Sequence, residues 1–309
     1  MDDMTINTSV EIAGVRLKNP VMTASGTFGS GMEYSELTDL ESLGAVVTKG
    51  VSDVPWEGNP TPRLAEVPSG MLNAIGLQNP GIDVFLKRDL PFLAEHARKK
   101  GTKIIVNVCG HTEEEYLRVV RSLADQPVDL LEINISCPNV RKGGIAFGTS
   151  PAGVEKITAA IKKEAAQPVI MKLSPNVTSI TEIARAAEAG GADAVSMINT
   201  ITGMKIDVER RSFVLANKTG GMSGPAVHPV AVRMVWEAAA AISIPIIGMG
   251  GISTAEDAIE MLLAGARAVS VGTANFANPR ATAEIAAGIR AYQEHHGISD
   301  INDIVGAVR

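Results

Sequence analysis

One pattern constrains this chain more than any other: a short apolar segment followed by a helical stretch, eight times over. The apolar segments are Pro20–Ser25, Ala45–Gly50, Lys103–Gly110, Leu130–Cys137, Val169–Ser174, Ala194–Asn199, Pro245–Gly251 and Ala268–Thr273. They are near-continuous apolar runs rather than alternations, as expected of strands covered on both faces. Parallel neighbours need a crossover between them, and a helix supplies it. Eight such units in 309 residues predict an α/β fold, a closed (β/α)8 TIM barrel forming one domain over residues 1–309. An open doubly wound sheet is the alternative arrangement of the same units.

Val10-Glu11-Ile12 and Val15-Arg16-Leu17 alternate around Ala13-Gly14 and predict an N-terminal hairpin that plugs the bottom of the barrel. Thr112-Glu113-Glu114-Glu115 and Ser179-Ile180-Thr181-Glu182 have the spacing of capping boxes. Ala187–Gly191 and Leu262–Gly265 end helices on glycine. Two connections, Val51–Gly81 and Thr200–Pro229, are too long to be mere links. Both follow strands and so belong to the catalytic face, where long ordered loops serve as lids or substrate walls.

Composition removes several function classes. The net charge is −6; no Lys/Arg block suggests nucleic acid, and the acidic balance argues mildly against it. The start Met1-Asp2-Asp3 is wrong for a signal peptide, and no apolar run approaches the ~18 residues of a membrane span. The expected location is cytoplasmic. The two cysteines, Cys109 and Cys137, suit a reducing compartment and are too few for an iron–sulfur cluster on this chain alone. The five histidines lack metal-ligand spacing, and no Ser-His-Asp or paired-carboxylate arrangement stands out.

What remains at the strand ends is lysine, asparagine, glycine and one thiol. Asn134-Ile135-Ser136-Cys137-Pro138-Asn139 closes the fourth strand. A thiol there is within modest tuning of neutral pH; taken alone, it is equally a small buried hydrophobe. Lys49 ends the second strand and Lys172 lies in the fifth. A strand-embedded lysine is costly unpaired. Glu132 is the one strand carboxylate near in sequence, and an anionic ligand is the better partner. Asn73, Asn107, Asn134 and Asn199 suit a ligand displaying both N–H and C=O groups, as an imide does. Gly248-Met249-Gly250-Gly251 and Gly272-Thr273 end the last two strands, where barrels commonly bind phosphate. Ser253 stands where a dinucleotide fingerprint needs its third glycine, so a mononucleotide phosphate is expected and a nicotinamide site is not.

Taken together, NISCPN (134–139), NAIGLQNPG (73–81), NTITG (199–203), NKTGGMSGP (217–225) and GMGGI (248–252) resemble the dihydroorotate dehydrogenases, in order and over nearly the whole chain. Cysteine at 137, rather than serine, is similar to class 1. The stretches AIGLQNPG, GMKIDVERR and LANKTGGMSGP are similar to the catalytic subunit of subtype B. The resemblance implies an FMN-containing barrel that oxidises (S)-dihydroorotate to orotate, with Cys137 as general base. By matched position, FMN contacts are implied for Ser25, Lys49, Gly50, Asn107, Asn134, Lys172, Ile198, Gly224, Gly250, Gly251, Gly272 and Thr273. Substrate contacts are implied for Lys49, Asn73, Ala74, Ile75, Gly76, Leu77, Asn134, Asn199 and Thr200. It further implies a partner subunit carrying FAD, a [2Fe–2S] cluster and the NAD site, in a heterotetramer of two barrels and two partners.

Three other readings compete. A fumarate-using subtype A enzyme shares the barrel. A flavin-free aldolase or isomerase with Lys172 as a Schiff-base lysine explains the phosphate glycines but leaves Cys137 and the asparagines idle. A non-catalytic ligand-binding barrel predicts nucleotide binding without redox change.

Overall fold

The computed structural model describes residues 6–135 and 147–308. All eight predicted segments form strands: β3 (Val21–Thr23), β4 (Ala45–Val47), β7 (Lys103–Val108), β8 (Leu130–Asn134), β9 (Val169–Lys172), β10 (Ala194–Met197), β15 (Ile246–Met249) and β16 (Ala268–Val271). They close a barrel in the order β10-β15-β16-β3-β4-β7-β8-β9, with every neighbour parallel. The open doubly wound alternative is thereby set aside. β4, β8, β9, β10, β15 and β16 are buried at every position. That is why they read as unbroken apolar runs.

The outer helices bury one face each. In Glu113–Leu123 that face is Tyr116, Leu117, Val119, Val120 and Leu123, a three-to-four spacing, while Glu113, Glu114 and Glu115 sit in the first turn. Carboxylates there complement the positive end of the helix. The predicted capping boxes are only half made. Thr112 and Ser179 accept from the amides of Glu115 and Glu182, but the Glu115 carboxylate reaches back to the amide of His111, 2.6 Å away, instead of Thr112. The full reciprocal box lies at Thr254 and Asp257, where the shorter aspartate does what the glutamates were expected to do. Gly191 and Gly265 take left-handed φ values of 90° and 115° just past their helices.

The hairpin forms from β1 (Val10–Ile12) and β2 (Val15–Leu17). Val10, Ile12 and Leu17 join the main core, and the chain runs from Leu17 into the N-terminal end of β3. The two long connections do something local patterning does not show: they build one sheet together. β5 (Leu64–Val67) and β6 (Gly70–Asn73) come from the first. β11 (Ile201–Met204) and β14 (Thr219–Ser223) come from the second. They pair antiparallel in the order β11-β14-β6-β5. A small core of Ala65, Leu72, Ala74 and Leu215 underlies this sheet. A further ribbon, β12 (Ile206–Asp207) with β13 (Ser212–Phe213), projects from the second connection. Among the described residues no helix is long and apolar enough to cross a membrane.

Candidate active site

A cavity of about 590 Å³ lies between the C-terminal ends of the barrel strands and the four-stranded sheet. That volume is in the range of small-molecule and cofactor sites. Every barrel strand except β7 delivers lining residues from its C-terminal end or the turn after it. Ser25, Lys49, Gly50, Asn134, Lys172, Ile198, Gly224, Gly250, Gly251, Gly272 and Thr273 all line it, as do Asn73 to Leu77, Asn199 and Thr200. Asn107 does not line the cavity; it is fully buried on β7. Cys137 lies outside the described residues.

The roof is pinned residue by residue. Asn73 pairs with Gly221 across β6 and β14, and its amide donates to the Gly221 carbonyl at 3.3 Å. The turn that follows is tied down by Asn59, whose side chain donates to Ala74 O at 3.0 Å and whose backbone amide donates to Ile75 O at 3.0 Å. Asn59 also lines the cavity; it anchors the 73–77 turn, and its pattern in sequence was no different from other loop asparagines. Below the roof, at the strand ends, Asn199 Nδ2 approaches Asn134 Oδ1 at 3.5 Å. The buried Tyr116 hydroxyl donates to Asn134 O at 2.7 Å, fixing the end of β8.

The two lysines have different environments. Lys49 is half-buried and has no ion-pair partner among the described residues. Burial is the main cause lowering its ammonium below the ordinary lysine pKa; Cys109 opposes that shift and Arg63 assists it. A cation held in this way leaves its charge available to the cavity that it lines. Lys172 departs from the expectation. Its Nζ meets Glu132 Oε1 at 3.4 Å, with the two side chains 6% and 2% exposed. The protein supplies its counter-charge, and sequence proximity understated that carboxylate because the barrel, not the chain, makes it a neighbour.

After β15 and β16 the backbone amides of Gly250, Gly251, Gly272 and Thr273, residues that line the cavity, donate to no acceptor among the described residues. Just beyond this turn the amides of Ser253 and Thr254 donate to the Asp257 carboxylate at 2.8 and 2.9 Å, so the amides left open before the helix are those of the glycine turn itself. His228 supports it from behind, with Nδ1 2.8 Å from Gly250 O; a carbonyl only accepts, so Nδ1 carries the proton. Gly251 has φ +71°, and a β-carbon there would lie 2.8 Å from Gly224 O, His228 N and His228 Cβ. Only glycine fits that close approach.

These features fit a mononucleotide flavin. Four unpaired amides suit its phosphate, and the cavity has room for its rings. Asn107 Oδ1, buried without a partner among the described residues, lies 3.3 Å from where a β-carbon on Gly50 would sit; it offers an acceptor to a ring N–H beside the cavity floor.

The comparisons with known proteins agree with this geometry. A sequence profile of the dihydroorotate dehydrogenases matches residues 7–292. The dihydroorotate dehydrogenase B (NAD(+)) catalytic subunit of Lachnoclostridium phytofermentans is 64% identical over 304 residues, covering 98% of this chain and 100% of that protein. The protein of the same name from Alkaliphilus metalliredigens is 60% identical, covering 98% and 99%, and that from Geotalea uraniireducens is 54% identical, covering 97% of each. The chain belongs to the dihydroorotate dehydrogenase family.

Proposed function

We propose that this chain is the FMN-carrying catalytic subunit of an NAD-linked dihydroorotate dehydrogenase, oxidising (S)-dihydroorotate to orotate in pyrimidine synthesis. One observation carries the reading: a single cavity is lined by a lysine with no ion-pair partner among the described residues, by several asparagine side chains, and by four backbone amides with no acceptor among the described residues.

In this reading Gly250, Gly251, Gly272 and Thr273 hold the phosphate, assisted by Ser25 and Gly224. Gly50, Ile198 and Lys172 face the ring system, with Asn107 and Asn134. Bound FMN supplies the hydride acceptor for substrate C6. Lys49 binds the substrate carboxylate, and Asn73, Asn134 and Asn199 read the imide edge, with Ala74, Ile75, Gly76, Leu77 and Thr200 closing the wall. Holding the reactants at reacting distance is worth several kcal/mol by itself. Cys137, three residues beyond Asn134 in sequence, takes the proton from C5; general-base help of this kind is typically worth about 10²–10⁴-fold. Lys172 stabilises the negative charge that reduction places near the ring N1.

The electrons leave to NAD through a second subunit carrying FAD and a [2Fe–2S] cluster, two of which join a pair of barrels in a symmetric heterotetramer. Each chain forms one FMN-binding domain over 1–309. We place the enzyme in the cytoplasm, where a thiol base stays reduced. An absorption spectrum tests the core of this reading. The purified chain is expected to be yellow, to release FMN on denaturation, and to bleach when dihydroorotate is added without oxygen. A folded, colourless protein that takes up no FMN refutes it.

A further inference from the structure

Glu132 belongs to none of the roles assigned so far. It is 1% exposed, in the middle of β8, in a barrel interior that branched apolar residues usually fill. Three strands donate to it. Asn107 Nδ2 on β7 reaches Oε1 at 2.7 Å, Lys172 Nζ on β9 reaches the same oxygen at 3.4 Å, and Ser196 Oγ on β10 donates to Oε2 at 2.8 Å. None of the three donors is more than 4% exposed. Packing does not explain this cluster, since a buried ion pair is often no more stabilising than apolar side chains of the same volume.

Its position gives the explanation. Lys172 lines the cavity, whereas Glu132 and Ser196 do not. The cavity therefore faces a cation whose counter-charge stands behind it. A carboxylate only accepts, so it also dictates the amide of Asn107: Nδ2 faces Glu132 and Oδ1 is turned away, to the side of Gly50. We propose that Glu132 is a positioning residue for the flavin chemistry, fixing Lys172 and orienting Asn107, and tempering the lysine charge felt by the reduced cofactor. The inference rests on the FMN reading above. An uncompensated buried cation would hold the reduced state too tightly for electrons to move on; a carboxylate one contact behind it lowers that preference while leaving the lysine in place.

The test is the two-electron midpoint potential of the FMN-loaded protein. Glutamine at 132 keeps the shape: its carbonyl accepts from Asn107 and Lys172, its amide donates to the Ser196 hydroxyl, and only the charge is lost. Glu132→Gln is expected to favour the reduced form at least tenfold, a rise of about 30 mV for a two-electron couple. Glu132→Asp, which retains the charge, should stay within about threefold of the wild type on the same scale. Lys172→Gln should shift the potential the other way, and Glu132→Gln/Lys172→Gln should return it towards the wild type. The last comparison decides the matter even if Glu132→Gln alone fails to fold. A Glu132→Gln potential unchanged or lowered, or a double variant no different from Lys172→Gln, overturns the proposal. A wild-type chain that binds no FMN overturns the underlying reading instead.

Discussion

Gly251→Ala separates backbone strain from close packing at the glycine turn proposed above to hold the FMN phosphate. The residue sits at φ +71°, and the new β-carbon would meet Gly224 O, His228 N and His228 Cβ, each at 2.8 Å. Two of those atoms are backbone and cannot swing aside. A natural control exists in Gly297, the C-cap of helix Ala281–His296, with φ +67° and nothing within 4 Å of its β-carbon position. Gly297→Ala incurs only the left-handed penalty, about 1–2 kcal/mol. Gly251→Ala adds overpacking, about 1–3 kcal/mol. For 309 residues, an unfolding entropy of about 2.1 cal/mol/K per residue gives about 0.65 kcal/mol/K. Gly297→Ala should thus lower Tm by about 2–3 °C and Gly251→Ala by about 3–8 °C. Only Gly251→Ala should weaken FMN retention, by about tenfold or more, because opening the turn disperses amides that must converge on one phosphate. Calorimetry of the apo-proteins and FMN titration by fluorescence quenching read both effects. Equal melting of the two variants, with FMN affinity intact in both, would refute the packing argument.

Cys137→Ala should retain FMN but slow its reduction by dihydroorotate about 10²-fold or more; Cys137→Ser should recover part of that rate at high pH. Stopped-flow bleaching without an electron acceptor measures the step, and a wild-type rate in the alanine variant would make the thiol structural. Lys49→Met should weaken orotate binding about 10–100-fold, the value of a hydrogen bond to a charged group, while stabilising the apo-protein at neutral pH. The sign follows from the lowered pKa of Lys49. The folded wild type bears the cost of a desolvated charge below that pKa, and the cost is relieved as pH rises through it towards the unfolded value of 10.5. The advantage of the methionine variant should therefore fade as the medium becomes alkaline; melting curves between neutral pH and pH ~10 check it. The isolated chain should reduce dyes with dihydroorotate and reduce NAD only once its partner subunit is added. Efficient NAD or fumarate reduction by the highly purified chain alone would contradict that assignment.

How much of this was legible in the chain depends on how far apart the interacting residues lie. The eight barrel strands and the hairpin are periodic over a few residues, and burial on both faces writes itself directly into an apolar run. The glycine turns are equally local: Gly250-Gly251 and Gly272-Thr273 need only their own backbone to present amides to the cavity that they line. Lys49 lies two residues past the end of β4 and is half-buried, so its place at the strand end was legible from the apolar run before it. The pairing of Lys172 with Glu132 was not. The two are separated by 40 positions, and their meeting depends on β8 and β9 being neighbours in register, just as the contact of Asn107 with the same carboxylate depends on β7 pairing with β8. The roof shows the same limit most plainly. Asn73 and Gly221 stand 148 positions apart, in two connections whose strands are short and irregular in pattern, so neither announces its partner. Backbone conformation and burial are dictated by neighbours along the chain; the counter-charge of a buried lysine and the closure of a cavity are dictated by neighbours in space, and only the closed barrel brings those together.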